Sequence, residues 1–426
     1  MTPRLVFDVS GVQWRADRLP SGIPRVQLAV ASRLASNWPD TEFCEWDAGK
    51  GCFVTVETSR VLDTVHRSRS EVDDPPSDVP APSRAAQHAR LSAYHAKRAV
   101  REVARSVRAR AQRAPVGGPA RGASSGWSSD TTYCTVSASW RHGGLAPLGT
   151  RGTRPFRALL TVHDVIPVLA PQYTDLELDE HFCALLDTAD ALLVGSRATE
   201  RDLAAFAARH GRVLPRIERL PIGSDLVDQE ACIPRSFGGD VPAAGSFVLC
   251  AGSVELRKNQ ALLLDVWEML VATHPHSDIP PLVVAGNAGQ LSQETISRLT
   301  RTASLRDVVT YVPSPTDGEL AWLFRNCAFT VFPSRYEGWG LPVAESLDFG
   351  KLCLTGDGSS LPEVGEGLTE LLDPFDRTQW RDRIVRYWTS PRELRSRERD
   401  IAQQHRRTTI DDTTRAVVEI AGSARS

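Results

Sequence analysis

Short apolar runs alternate with longer mixed stretches along this chain, in two successive series. Most of the runs are rich in β-branched and other apolar side chains, which is typical of strands buried in a parallel sheet. The first series predicts strands at residues 4–8, 42–46, 52–56, 133–137, 158–162, 191–194 and 217–220. The second series predicts strands at residues 247–251, 282–285, 308–311, 329–332 and 352–355.

The stretches between these strands have the spacing of apolar residues expected for helices. The predicted helices cover residues 26–35, 177–189, 199–208, 261–272, 293–301, 317–324 and 342–349. Strands that alternate with helices indicate parallel, doubly wound sheets. We therefore expect an α/β fold with two Rossmann-like domains that face each other across a cleft.

The length of 426 residues also favours two domains, because a chain of this size exceeds one ordinary core. We predict a first domain at residues 1–228, with a basic or disordered insertion at about 73–129. A hinge rich in Pro, Gly and acidic residues follows at 229–245. The second domain is predicted at 246–390, and a charged helical segment at 391–426 is expected to cross back to the first domain.

Composition excludes several classes of protein. A net charge of −2 excludes a globally basic nucleic-acid binder. Eight cysteines without a Cys-x-x-Cys pair argue against a zinc ribbon or a disulfide framework and favour a reducing compartment, here the cytoplasm. The start of the chain leads directly into a strand, so we expect no signal peptide, and no apolar run is long enough to predict a membrane span.

A basic segment begins at Arg84 and ends at Arg113. It holds nine Arg or Lys residues and one acidic residue, Glu102, with apolar residues at partly helical spacing. This pattern fits a solvated helix, and equally a peripheral contact with an anionic membrane surface or a lipid-linked substrate. Nucleic acid is a poorer explanation, because no aromatic platform accompanies the charge.

Two glutamates, Glu337 and Glu345, are separated by a glycine-rich turn that follows a predicted strand. Pro342 suits the first position of a helix, which would place Glu345 in its first turn. Free N–H groups at such a helix start attract anions, and the backbone donors would be those of Gly338, Gly340 and Leu341. The carboxylates could face the same crevice and hold sugar hydroxyls. The alternative is a surface loop whose second Glu only complements the helix dipole.

Positive and polar residues follow other predicted strands. Arg257 and Lys258 lie between a strand and a helix of the second domain, where they could pair with a diphosphate. His163 ends a strand of the first domain, and Gly22 follows its first strand. The carboxyl ends of strands are where open α/β sheets bind ligands. The chain has no Asp-x-Asp and no phosphate-binding loop of the ATPase or dinucleotide type, so we expect no metal and no cofactor.

With these residues together, the chain resembles the family 4 glycosyltransferases, retaining enzymes of the two-domain GT-B fold. The two-glutamate motif and the order Gly252, Lys258, Asn259 after a strand carry the resemblance. The first loop, with a single Gly22, resembles the branch that acts on bacterial surface polysaccharides with mannose or rhamnose donors. The function so implied is metal-independent, retaining transfer of a hexose from a nucleotide-diphosphate sugar to a glycan or lipid-linked glycan.

The resemblance also implies roles for single residues. Glu345 would hold the ribose of the donor nucleotide, Glu337 the transferred sugar, Lys258 the diphosphate and His163 a sugar hydroxyl near the anomeric centre. Gly22 would lie in the loop under the diphosphate. The remaining residues assigned to donor binding are Gly252, Ser253, Asn259, Gly338, Gly340 and Leu341.

The chain departs from the family pattern at Ser253, where many members carry Arg, and Arg257 would supply that charge. On the acceptor side we place Arg25, Trp140, Arg141 and Asp164. Two other functions stay open on this evidence. One is a nucleotide-sugar 2-epimerase of the same fold, and the other is a non-catalytic glycan-binding or scaffold protein.

Overall fold

The computed structural model describes residues 4–12, 22–70, 126–138, 145–174, 176, 178–234, 237, 242–289 and 291–423. The predicted basic segment and two of the predicted acceptor-side residues, Trp140 and Arg141, lie outside these ranges. Within them, no helix is long and apolar enough to cross a membrane.

The first sheet has seven strands in the order β3-β2-β1-β4-β5-β6-β7. They are β1 Arg4–Asp8, β2 Glu42–Asp47, β3 Cys52–Val56, β4 Thr131–Thr135, β5 Arg157–Val162, β6 Ala191–Val194 and β7 Arg216–Arg219. All neighbours are parallel except β2 and β3, which pair antiparallel. The strand pair predicted at residues 42–56 therefore forms an antiparallel edge on an otherwise parallel sheet.

The second sheet has six parallel strands in the order β10-β9-β8-β11-β12-β13. They are β8 Val248–Ala251, β9 Leu282–Ala285, β10 Val309–Val312, β11 Phe329–Phe332, β12 Cys353–Gly356 and β13 Glu370–Leu372. The expected α/β class with two doubly wound sheets is confirmed. Strand β13 was not predicted from the sequence, because three residues at a sheet edge give too short a pattern.

Helices cover both sheets. Those in the described chain are α1 Ile23–Asn37, α2 Thr58–Ser70, α3 Ile166–Leu169, α4 Asp179–Thr188, α5 Arg197–Arg209, α6 Gln260–Thr273, α7 Gln293–Arg301, α8 Asp317–Asn326, α9 Leu341–Asp348, α10 Leu361–Gly365, α11 Arg377–Thr389, α12 Pro391–Gln404 and α13 Ile410–Gly422. Helix α1 begins at Ile23, three residues before the predicted start at residue 26. Pro24 is tolerated in this first turn, where an N–H has no intrahelical partner.

Apolar side chains on both faces of the sheets form the core. Trp267 and Trp380 are fully buried under the second sheet. The last helix, α13, buries Val417 and Ala421 in the core of the first sheet, although it follows the second sheet in the chain. The hinge at residues 229–245, which the sequence places between the two domains, stays a prediction.

Candidate active site

Glu337 lies in the loop between β11 and α9 and is almost completely buried. Its carboxylate accepts bonds from Arg257 Nη1 at 2.7 Å and Lys258 Nζ at 3.2 Å. The hydroxyl of Ser334 donates to it at 2.9 Å. Burial raises the pKa of Glu337, but the two cations outweigh burial and lower it to about 2. Glu337 is therefore ionised at any physiological pH.

The cations come from the turn between β8 and α6. Arg257 also pairs with Glu255 at 3.1 Å and donates to the carbonyl of Tyr336 at 3.1 Å. Lys258 is buried, and its ammonium group stands 4.9 Å from the centre of the Phe332 ring. The strand-end turns after β8 and β11 are thus joined by charge and hydrogen bonds into one surface at the carboxyl edge of the sheet.

Gly252 ends β8 beside this surface. Its backbone has φ of +122°, which favours glycine, and a Cβ atom there would lie 3.5 Å from Lys258 Nζ. The next residue, Ser253, donates its hydroxyl to Glu255 at 2.6 Å. Ser253 therefore orients the carboxylate that pairs with Arg257, which agrees with Arg257 supplying the positive charge here.

Asn259 connects the turn that carries Lys258 to two other loops. It is buried, and its side-chain amide donates to the carbonyls of Pro333 at 3.2 Å and Pro374 at 2.7 Å. Both amide hydrogens are used in these contacts. Asn259 thereby positions the turn of Lys258, and its predicted contact with the donor stays a prediction.

Glu345 is buried on α9, which begins at Leu341. Pro342 therefore takes the second helical position and Glu345 the fifth, just beyond the first turn in which it was expected. The carboxylate contacts Arg25 Nη2, and Ser224 Oγ donates to it at 2.9 Å. The glutamates do not share partners: Glu337 contacts cations of its own domain, and Glu345 contacts groups from before the predicted hinge.

Arg25 was assigned to the acceptor side, which stays a prediction. Its guanidinium reaches from the start of α1 to Glu345 and to Asp317 Oδ1, the latter at 3.1 Å. It therefore lies with the residues assigned to the donor. Gly22 caps the same helix with φ of +61°, and a Cβ atom built on it would have no described atom within 4 Å.

The glycine-rich turn packs directly on the first sheet. A Cβ atom on Gly338 would lie 1.9 Å from the carbonyl oxygen of His163, so only glycine fits there. Thr199 Oγ1 contacts both the His163 and the Gly338 carbonyls, at 3.2 and 3.3 Å. The His163 ring donates from Nε2 to the carbonyl of Val136 at 2.8 Å. The loop that carries Glu337 is thus packed against the backbone of His163 in the first sheet.

Asp164 lies against the same loop. Burial raises the pKa of its carboxyl, Arg257 acts against this rise, and the N–H of Ile166 donates to Oδ1 at 3.1 Å. The backbone N–H groups of Gly338, Gly340 and Leu341 donate to no acceptor among the described residues. These donors lie at the start of α9 and remain available to an anion.

Several residues at the site have no signal in the sequence. Thr199, Ser224 and Asp317 lie in helical or loop patterns of ordinary composition, and Tyr336 donates its hydroxyl to Asp202 of α5. The contacts of Ser224, Asp317 and Tyr336 each join residues more than a hundred positions apart, and Thr199 also contacts the distant Gly338. No local pattern encodes such pairs.

The arrangement can bind an anion and a polyol together. Arg257, Lys258 and the free backbone N–H groups provide positive potential, and Glu337 and Glu345 accept hydrogen bonds from hydroxyls. Within the described residues, no cluster of three or more His, Cys, Asp or Glu side chains has the arrangement of a metal site. The expectation of metal-independence stays a prediction.

The fold and this site define a GT-B protein. Solved structures of the same fold include HepE from Anabaena, in complex with UDP and glucose, and sucrose-phosphate synthase from Thermosynechococcus elongatus. The TM-scores are 0.58 and 0.57, with 13% and 16% sequence identity. The matches cover 99% of this chain and 100% of HepE, and 98% of this chain and 97% of the synthase. At such identities they establish the fold alone.

Residues 239–405 match the family model described as "Glycosyl transferases group 1". Relatives include the serotype-specific mannosyltransferase WbdA of Escherichia coli, 26% identical over 231 residues. Another is the O-antigen chain mannosyltransferase B of Escherichia coli, 27% identical over 239 residues. Each match covers 52% of this chain, but only 28% and 58% of the respective relative.

Proposed function

We propose that the protein transfers a hexose from a nucleotide-diphosphate sugar to a hydroxyl group, with retention of the anomeric configuration. The observation that carries this proposal is the buried contact of Glu337 with Arg257 and Lys258 at the carboxyl edge of the second sheet. It combines cations for a diphosphate with a carboxylate for sugar hydroxyls. The first sheet supplies His163, whose backbone packs against the loop of Glu337.

The relatives favour a particular sugar and pathway. The two relatives are named as a serotype-specific mannosyltransferase and an O-antigen chain mannosyltransferase. We therefore propose mannose or rhamnose as the transferred sugar and a glycan or lipid-linked glycan of a bacterial surface polysaccharide as the acceptor. Asp164 would line the acceptor side, and His163 would contact a sugar hydroxyl near the anomeric centre.

Leaving-group stabilisation would drive the reaction. As the bond from the anomeric carbon to the diphosphate oxygen breaks, negative charge grows on the diphosphate. Arg257, Lys258 and the backbone donors at the start of α9 would stabilise that charge without a metal. The acceptor oxygen would then bond to the same face of the sugar, and its proton would pass to the departing phosphate oxygen. Glu337 positions the sugar and does not act as the base, because a carboxylate with a pKa of about 2 is a weak proton acceptor.

A screen of nucleotide sugars by thermal shift and calorimetry tests the proposal. The correct donor, at a hundred times its Kd, should add about 2.7 kcal/mol to the free energy of unfolding. Incubation of that donor with acceptor glycans should yield a retained glycosidic bond by NMR. An epimerase would instead convert the sugar without an acceptor. A scaffold protein would give no heat with any nucleotide sugar or nucleoside diphosphate.

We further propose that the segment from Arg84 to Arg113 holds the enzyme at the inner, cytoplasmic face of the membrane. Its excess of basic residues is suited to an anionic surface, with each Lys or Arg near that surface contributing about 1 kcal/mol. The full chain should sediment with vesicles that contain anionic lipid and stay in solution with neutral vesicles. Deletion of the segment should abolish sedimentation, and unchanged binding after deletion would refute the proposal.

A further inference from the structure

Arg25 is the residue that joins the start of the first domain to the second-domain glutamate. It is the third residue of α1, and its side chain is mostly buried between Glu345 and Asp317. The three residues come from α1, α9 and α8, and some three hundred positions separate the arginine from either acid. An ion pair at this location therefore forms only when the cleft has the geometry described above.

The contacts of Glu345 are unequal between its two oxygens. Arg25 Nη2 and Ser224 Oγ both donate to Oε1. Among the residues that the structure describes, no donor reaches Oε2. A carboxylate has about four lone-pair positions, so this one retains acceptor capacity on the second oxygen. The anchored oxygen fixes the orientation of the carboxylate, which in turn fixes the direction of Oε2.

The burial of Glu345 and its ion pair also favour a role for Arg25. Glu345 is 97% buried by side-chain surface, with 3% exposed. Burial raises its pKa, and the Arg25 guanidinium is the largest influence acting against that rise. A protonated carboxyl would lose acceptor strength for hydroxyl groups. Asp317 holds the second guanidinium nitrogen of Arg25, so that the fork is fixed at both ends.

We propose that Arg25 is a positioning residue for the nucleotide: it orients Glu345, so that Oε2 accepts hydrogen bonds from the ribose hydroxyls of the donor. This inference rests on the proposed function and on the ribose contact of Glu345 that the family resemblance implies, and it adds the role of Arg25. It also makes recognition of the ribose depend on the first domain, because Arg25 and Ser224 both belong to it.

Calorimetry with nucleotides that lack the ribose hydroxyls tests this role directly. The probes are GDP and UDP and their 2′,3′-dideoxy counterparts, and the proteins are the wild type, Arg25→Ala and Arg25→Lys. For the wild type, we expect whichever of GDP and UDP binds more tightly to bind about tenfold more tightly than its dideoxy form. This is the affinity lost when a hydrogen bond to a charged group is removed. In Arg25→Ala this ratio should fall to about one, because the ribonucleotide binds more weakly while the affinity for the dideoxy form is unchanged. Arg25→Lys should recover part of the ratio.

Arg33 provides a matched control on the same helix. It pairs with Asp225 at 3.0 Å and Asp411 at 2.7 Å and does not contact Glu345. Arg33→Ala should keep the wild-type ratio, even where its melting temperature falls. A ratio that is unchanged in Arg25→Ala would overturn the inference and leave the proposed function standing. A wild type that binds neither GDP nor UDP would contradict both the inference and the proposed function. If the wild type binds the ribonucleotide and its dideoxy form equally well, the assignment of Glu345 to ribose is wrong.

Discussion

Replacement of Lys258 with methionine is expected to lower kcat by about a hundredfold to a thousandfold, the usual loss for one removed charge-stabilising donor. Methionine keeps the length of the aliphatic stem over Phe332 but removes the ammonium group that faces Glu337 and Gly252. The departing diphosphate then loses a cation as its charge develops. Steady-state kinetics with the donor found in the screen measures the effect.

The matched control is Lys351→Met. Lys351 belongs to the same domain, and its ammonium group donates to the carbonyl of Cys327 at 2.9 Å, away from the cations of the cleft. This variant should keep its kcat. A Lys258→Met enzyme with wild-type kcat and an intact melting transition would contradict the role of Lys258 in leaving-group stabilisation.

Replacement of Glu337 with glutamine should abolish transfer and also destabilise the protein. The pKa of Glu337 is lowered from 4.5 to about 2, which corresponds to about 3 kcal/mol of stability from its ionised form. Glutamine leaves Arg257 and Lys258 buried with a neutral partner, and breaking a buried pair costs about 3–5 kcal/mol. Urea denaturation and activity, measured on the same preparation, report the two losses.

The pH dependence of this loss has a definite sign. Because the folded pKa is lowered, the contribution of Glu337 is complete above its ordinary pKa of 4.5 and is lost as the pH falls toward 2. The difference in stability between wild type and Glu337→Gln should therefore be constant from pH 6 to pH 8 and shrink in acid. The control is Glu370→Gln, whose carboxylate pairs with Arg383 at 3.3 Å near the surface and should matter by about 1 kcal/mol or less. Full activity of the Glu337→Gln variant would contradict the proposal that Glu337 binds the transferred sugar.

The elements with the clearest periodicity were the ones that the sequence predicted with correct bounds. Strands β6, β9 and β11 and helix α7 have the predicted limits. Each strand is a run of apolar or β-branched residues, buried along its whole length. Local composition is enough there, because burial on both faces requires apolar residues at every position. The short edge strand β13 and the antiparallel pairing of β3 depend on neighbours in the sheet, and a single segment does not encode its neighbours.

Within the site, the sequence by itself determined which chemical groups are available and at which strand ends they lie. Glu337, Lys258, Arg257 and His163 follow buried strands, and parallel strands bring their carboxyl ends to one edge. These residues could be identified as a group because periodicity and turn chemistry are local properties.

The tertiary structure alone decided which of these groups meet. It joined Arg25 to Glu345 and turned Asn259 inward to two carbonyls, and the sequence predicted neither set of partners. The physical reason is that a charge or an amide loses its bound water when it is buried, and needs a hydrogen-bond partner in the folded protein. A group that loses water on folding must find a partner wherever the packed domains place one, and that position is not written in the residues beside it.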